Sequence, residues 1–195
     1  MVKRLLSKNR KTLFIFIPPS EEIPQNNAKG QFSFVSIEMN ENGELETAKE
    51  IDSVQINIRA KKNHRLVFVL ASNEVNIMLL KCPQLSNADL ELALPNLAEE
   101  HLLTNLADTF LLSRGRYDNK QVVLAYNKKY VKSIEKLIGI KFTDSVYFLP
   151  DQLSIPEPDS GKLYARVTDY DKSKTISLRS GKYEFFCFSV EKHKE

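Results

Sequence analysis

The apolar residues of the chain are distributed as short strands followed by two amphipathic helices. Apolar runs at residues 13–17 (LFIFI) and 121–126 (QVVLAY) are typical of buried strands. Residues 54–58 alternate between apolar and polar side chains, which predicts a further strand with one wet face. Leu66–Leu70 and Val75–Leu80 are two more apolar runs, and the short polar segment between them predicts a hairpin.

Two segments have the three- and four-residue spacing of amphipathic helices. The first follows Ser86, a good N-cap, and has leucines at 90, 94, 97 and 102. Pro95 interrupts it, and a proline inside a helix loses a hydrogen bond, so the pattern predicts a kink or two short helices meeting at Leu94–Pro95. The second segment, Lys128–Ile138, ends before Gly139. With the strands predicted at 121–126 and 145–149 it forms a strand–helix–strand unit, for which we expect a parallel pair.

The C-terminal part has a different pattern. Residues 153–161 contain two prolines and a glycine and are predicted to be a linker. Three strands are then predicted, at Leu163–Thr168, Thr175–Leu178 and Tyr183–Val190, with short turns between them that indicate an antiparallel meander. We therefore predict two parts: residues 1–152, with the helices and the strand–helix–strand unit, and residues 153–195, with the meander.

Composition excludes several classes of protein. The chain has 195 residues, with 28 basic and 25 acidic side chains, and this balance argues against nucleic-acid binding. Cys82 and Cys187 lie far apart in apolar runs and are expected to be separate reduced thiols. The three histidines have no second ligand at metal-binding spacing, so no metal site is expected. No apolar run is long enough to span a bilayer.

One stretch resembles a known family. The order strand, turn, strand, CP-x-L-S, helix, ALP-x-L-x-EE-x-L and D-x-x-x-L is similar to the cytoplasmic domain of type II secretion system protein L. The resemblance covers roughly residues 66–188 and is specific only around 83–102. The matching residues are Pro83, Leu85, Ser86, Leu90, Ala93, Leu94, Pro95, Leu97, Glu99, Glu100, Leu102 and Asp108. The chain departs from the pattern at Phe110, where the family usually has histidine. The family also continues with more of the second half-domain, a transmembrane helix and a small periplasmic domain.

The resemblance implies a mixed α/β fold, actin-like (ribonuclease H-like), with a partial second half. It also implies a non-catalytic scaffold on the cytoplasmic side of the bacterial inner membrane. Such a scaffold would bind the N-terminal domain of the secretion ATPase (the E subunit), the M subunit and the inner-membrane platform. An open sheet edge would in addition allow a homodimer. The candidate partner-binding residues are Leu94, Pro95, Leu97, Glu99 and Glu100.

The alternative is an actin-like nucleotide-binding protein or enzyme. Such folds hold phosphate with glycine-containing turns, whose backbone N–H groups approach the phosphate. Here the first such turn, in FIPPSEEIP, has prolines and acids instead of glycine, and the second candidate, Asp169–Thr175, also lacks glycine. No catalytic motif of the common hydrolase, metalloprotease or P-loop kinds is present. We therefore expect neither enzymatic activity nor a cofactor.

Overall fold

The computed structural model describes residues 10–24, 32–62, 64–102, 104–141 and 147–192. Within these ranges the chain forms strands and helices with the following bounds: β1 (Thr12–Ile17), β2 (Ser33–Met39), β3 (Leu45–Asp52), α1 (Ser53–Lys61), β4 (Arg65–Leu70), β5 (Val75–Lys81), α2 (Asn87–Glu99), β6 (Thr109–Tyr117), β7 (Lys120–Asn127), α3 (Lys128–Ile138), β8 (Tyr147–Pro150), β9 (Tyr164–Asp169), β10 (Ser173–Arg179) and β11 (Phe185–Glu191).

The described residues group into two compact units. The chain up to Ala71 and Lys132–Asp151 form the first, and Ser72–Val131 and the chain from Gln152 form the second. These units are defined by contacts in space. The division at residue 152, predicted from the order of elements along the chain, stays a prediction.

The first unit contains a five-stranded mixed sheet with the order β3-β2-β1-β4-β8. β1 pairs antiparallel with β2 and parallel with β4, and β4 pairs parallel with β8. Strands such as β4 that are buried on both faces have almost continuous apolar sequences. Leu13, Ile15, Phe34, Val67 and Phe68 are fully or almost fully buried and supply the core of this sheet.

The prediction of a strand at residues 54–58 is wrong, because this segment lies within helix α1. Asp52 is its N-cap: the Asp52 carboxylate accepts a hydrogen bond from the Gln55 N–H at 2.8 Å, and the Gln55 side chain accepts one from the Asp52 N–H at 3.2 Å. This capping box satisfies two backbone donors at the helix start. Only Ile56 of the three apolar residues is buried, while Val54 and Ile58 are exposed.

The second unit contains two three-stranded antiparallel sheets, β5-β7-β6 and β11-β10-β9. The predicted antiparallel meander at the C-terminal end corresponds to the second sheet. The hairpin between β6 and β7 has a short turn, because β6 extends to Tyr117 and β7 begins at Lys120. Asp118 and Asn119 make the turn with positive φ values of 48° and 58°, the backbone that suits a two-residue hairpin.

Two predicted pairings are wrong. β4 and β5 do not form a hairpin, since β4 lies between β1 and β8 while β5 pairs with β7. β7 and β8 are likewise in different sheets, so the strand–helix–strand unit makes no parallel pair, and residues 145 and 146 of its second strand lie outside the described residues. The parallel partner of β8 is β4, which is distant in sequence.

A buried glutamine ties the start of the C-terminal segment to the chain entering β5. Gln152 is almost fully buried. Its Nε2 donates to the carbonyl oxygens of Ser72 at 2.7 Å and Val75 at 3.1 Å. Ser72 is the first residue of the short 3-10 turn Ser72–Glu74, and Val75 follows that turn. The Gln152 side chain therefore holds both ends of the turn by hydrogen bonds.

Candidate interaction site

Helix α2 holds all of the candidate partner-binding residues except Glu100, which caps its C-terminus. It runs through Pro95 from Asn87 to Glu99, so the prediction of two short helices is wrong. Ser86 starts it: the Ser86 hydroxyl accepts from the Asp89 N–H at 3.2 Å and donates to the Asp89 carboxylate at 2.6 Å. Pro95 has no N–H to donate to the carbonyl of Glu91 one turn earlier, and the helix continues past it to Glu99.

One side of α2 packs on the sheet β5-β7-β6. Leu90, Leu94 and Ala98 are buried in a cluster with side chains from β5 and β7. Leu97 is half-buried and packs against the same cluster. Leu94 is only 4% exposed. Leu94 and Leu97 therefore hold the helix on the sheet, and Pro95 is half-buried beside them.

The opposite side of α2 is exposed and acidic. Glu99 lies on it, and Asp89 in the first turn and Glu100 at the C-terminus are exposed at its edge. Leu92 is 79% exposed, and its position seven residues before Glu99 places both on one face of the helix. The sequence-based list did not include Leu92, because this residue lies off the stripe of leucines that reaches the core. The site is thus an exposed leucine on a helix that has an acidic residue in its first turn and two at its C-terminal end.

The segment between β5 and α2 is held by hydrogen bonds from an arginine on β6. The Arg116 guanidinium donates to the carbonyl oxygens of Cys82 at 3.0 Å, Pro83 at 3.1 Å and Asn119 at 2.8 Å. A planar guanidinium with several donors suits such a task. These bonds hold the chain where it leaves β5 for α2. Arg116 also lines a cleft together with Cys82, Pro83, Leu90 and Glu91.

The two turns considered as phosphate-binding sites have other roles in the structure. Pro18 and Pro19 follow β1 and lead into a 3-10 turn at Ser20–Glu22. Neither proline has a backbone N–H that could donate to a phosphate. At the other candidate, Asp169 forms ion pairs with Lys192 and with Lys174, the latter at 3.6 Å.

In the second of these turns, the polar side chains of Asp169 and Thr175 both have partners within the protein. The Lys192 ammonium donates a hydrogen bond to Asp169, which lowers the pKa of that carboxyl below its ordinary value. Thr175 points inward, almost fully buried, with its hydroxyl 2.9 Å from that of Ser189. Among the residues described by the structure, no three His, Cys, Asp or Glu side chains converge as a metal-ligand set. Within the same ranges, no helix is long and apolar enough to cross a membrane.

Comparison with known proteins places the fold. No family model matches the sequence, and neither does any curated protein. Among solved structures, the chain is similar to the cytoplasmic domain of EpsL, an inner membrane component of the type II secretion system of Vibrio cholerae. The TM-score is 0.58 at 17% identity, over 93% of this chain and 71% of that chain.

Two further structures match less well. One is a protein of Bacteroides thetaiotaomicron with an actin-like ATPase fold and unknown function, with a TM-score of 0.48 and 13% identity over 96% of this chain and 72% of that chain. The other is the PilM-PilN type IV pilus biogenesis complex, with a TM-score of 0.49 and 11% identity over 92% and 61%. The assignment of the fold depends on the EpsL match. The predicted fold class is confirmed: this chain has the mixed α/β, actin-like fold of the EpsL cytoplasmic domain.

Proposed function

We propose that the chain is a non-catalytic scaffold of a type II protein secretion machine, on the cytoplasmic side of the bacterial inner membrane. It links the N-terminal domain of the secretion ATPase to the M subunit and the other proteins of the inner-membrane platform. The observation that carries the proposal is that the segment with the family resemblance also forms the exposed acidic side of helix α2. Residues 83–102, which resemble the protein L family, contain helix α2 with its exposed acidic side, in a fold similar to that of EpsL.

The chemistry of the site suits binding of a protein partner. Carboxylates such as Glu99 and Glu100 attract a basic surface over several ångströms and raise the rate of encounter. Leu92 supplies the apolar contact that desolvates on docking, and a central apolar anchor within a polar rim is the usual arrangement of a binding site. The partner surface that fits is therefore basic around an apolar depression.

A calorimetric titration with the N-terminal domain of a secretion ATPase tests the proposal. The unmodified chain is expected to bind, and Glu99→Lys with Glu100→Lys should weaken binding about tenfold or more, with affinity falling as salt is added. A matched control is Glu41→Lys with Glu50→Lys, which makes the same charge change at exposed positions in the first unit and should leave the affinity within about twofold.

Several outcomes would contradict the proposal. Absence of binding at high micromolar concentrations would remove the adaptor role. Equal losses in the two double variants would show that net charge, and not the α2 surface, governs the interaction. Binding of ATP with magnesium in a parallel titration would favour the alternative of an actin-like nucleotide-binding protein or enzyme. Sedimentation of the chain alone measures the proposed homodimer.

A further inference from the structure

The central strand β10 of the meander β9-β10-β11 has polar residues on its buried side, and the exposed side of the meander is largely apolar. Along β10, the buried residues are Ser173, Thr175, Ser177 and Arg179. This is the reverse of an ordinary half-buried sheet, in which apolar side chains face the core. The reversal leaves a large apolar surface on the outside of the second unit.

Hydrogen bonds on the buried side show that this orientation is built into the sheet. Arg179 donates from Nε to the Gly181 carbonyl at 2.8 Å and from Nη2 to the Lys182 carbonyl at 2.9 Å, and it also donates to the carbonyl of Ile155. A slip of one residue would turn every side chain to the other face. It would also bury apolar groups where Arg179 now makes these bonds, so the structure holds the apolar residues outside.

The exposed side forms a compact apolar face, which we call the meander face. The pairing places its residues in rows across the three strands. Phe186 is 62% exposed and Phe188 48% exposed. Val167 and Val190 are exposed too, and Ile176 and Leu178 between them are half-buried. The rows are Ala165–Leu178–Phe186, Val167–Ile176–Phe188 and Asp169–Lys174–Val190.

The size of the meander face indicates which kind of partner fits it. Three strands spaced about 4.8 Å apart, with same-side residues about 7 Å apart along each, make a face of roughly 15 Å by 20 Å, or about 300 Å². Stable pairing of two globular surfaces buries about 800 Å² on each partner. The face is thus too small for two copies of this chain to associate through it alone.

A single α-helix has matching dimensions. A helix is about 10 Å wide and rises 1.5 Å per residue, so about 14 residues span the longer side. The row Asp169–Lys174–Val190 lies at one end of the face. In the middle of this row, the Lys174 ammonium lies 3.6 Å from Asp169 in an exposed ion pair. An exposed ion pair contributes little to stability, so Lys174 can exchange it for an acidic side chain on the incoming helix.

We propose that the meander face binds one amphipathic α-helix of another polypeptide. This helix has an apolar stripe facing Phe186 and Phe188 and an acidic residue at the end that meets Lys174. The proposal uses neither helix α2 nor the secretion role, so it can fail or succeed independently of them.

The probe for this proposal is a synthetic, fluorescein-labelled helical peptide of about 14 residues. It carries leucine at positions 3, 6, 7, 10 and 14 and glutamate at the flanking positions near one end. A second peptide has serine at every leucine position, and a third has lysine in place of glutamate. Fluorescence anisotropy is measured against the unmodified full chain, Phe186→Ser, Phe188→Ser and Leu45→Ser. Leu45→Ser is the matched control, since Leu45 is 70% exposed on β3 in the first unit.

The first peptide is expected to bind the unmodified chain, and Phe186→Ser and Phe188→Ser should each weaken binding about tenfold. Leu45→Ser should change it less than twofold. The lysine peptide should bind at least threefold more weakly, and the serine peptide should not bind. Circular dichroism confirms that the variants fold, as expected for exposed side chains.

Three results would overturn the proposal. The first is that the unmodified chain fails to bind the peptide. The second is that all three chain variants bind the peptide equally, which would mean non-specific adhesion. The third is that light scattering shows a dimer of the chain alone that Phe186→Ser dissociates, which would make a second copy the occupant.

Discussion

Glu38 is a buried carboxylate surrounded by cations, and replacing it tests the electrostatics of the first unit. Its side chain is 5% exposed. Oε1 lies 3.3 Å from His64 Nε2, 3.4 Å from Arg59 Nη1 and 3.8 Å from Lys11 Nζ, and Oε2 lies 3.6 Å from Lys49 Nζ. Glu38→Gln keeps the shape of the side chain and removes its charge, so Arg59, Lys11 and Lys49 lose the carboxylate that they share.

The magnitude follows from the exposure of the partners. Breaking a fully buried ion pair costs about 3–5 kcal/mol, and breaking an exposed one costs about 1 kcal/mol or less. Here the carboxylate is buried while its lysine and arginine partners are about a third exposed. We therefore expect Glu38→Gln to lower the free energy of unfolding by about 2 kcal/mol at pH 7.

The effect should depend on pH with a definite sign. Burial tends to raise the pKa of Glu38, but Arg59, the hydrogen bond with His64, Lys49 and Lys11 together lower that pKa below its ordinary value. A group whose pKa is lowered by folding stabilises the protein above its unfolded-state pKa, and this stability is lost as the pH falls through the folded-state pKa. The difference between the unmodified chain and Glu38→Gln should therefore shrink below about pH 4.5, the ordinary pKa of glutamate.

The assay is urea denaturation followed by circular dichroism between pH 7 and pH 3, since the chain has no tryptophan. Glu50→Gln is the control: Glu50 is exposed on β3, so this change should alter stability by less than about 0.5 kcal/mol. A Glu38→Gln variant as stable as the unmodified chain at pH 7, or a difference that stays constant down to pH 3, would refute the reasoning.

Three further predictions concern the second unit, and each is checked by urea denaturation. Leu94→Ala should lower the free energy of unfolding by about 2–4 kcal/mol because it leaves a cavity in the core, whereas Leu92→Ala at an exposed position should change it by less than about 0.5 kcal/mol; equal effects would contradict the assignment of the two sides of α2. Ser86→Ala should cost about 1 kcal/mol through loss of the N-cap, and Ser86→Asn should restore most of that loss if capping is the cause. Gln152→Ala should cost about 2 kcal/mol, since two buried backbone carbonyls lose their donor; a neutral effect would mean that they gain another partner.

Local patterns in the sequence predicted the elements with strong periodicity. Helix α3 was predicted with the bounds that the structure shows, because its apolar spacing and Gly139 both mark a helix. The meander was predicted as well, since its strands are joined by short turns. In α1, by contrast, alternation over five residues fits a strand and a helix turn equally, and the pair Asp52–Gln55 decides between them.

Strand pairing was harder to predict, for a physical reason. β4 and β5 are adjacent in sequence, but hydrogen bonding between strands depends on partners far along the chain, such as β1, β7 and β8. Nothing in the apolar runs identifies these partners. The role of Glu99 and Glu100 in partner binding stays a prediction, although both side chains are exposed. The exposure of Leu92 depends on where the helix meets the sheet, which the sequence does not show.

The two edges of the five-stranded sheet have a consequence for how the protein behaves at high concentration. Among the described strands, β3 and β8 are the outermost ones. β3 carries Glu46, Lys49 and Glu50 along an exposed strand, and β8 is four residues long and ends in Pro150. Charged side chains, shortness and proline each oppose the addition of a further strand. A crowded solution of this protein should therefore resist growth into β-rich aggregates through this sheet, even though its strands β1 and β4 are among the most apolar segments of the chain.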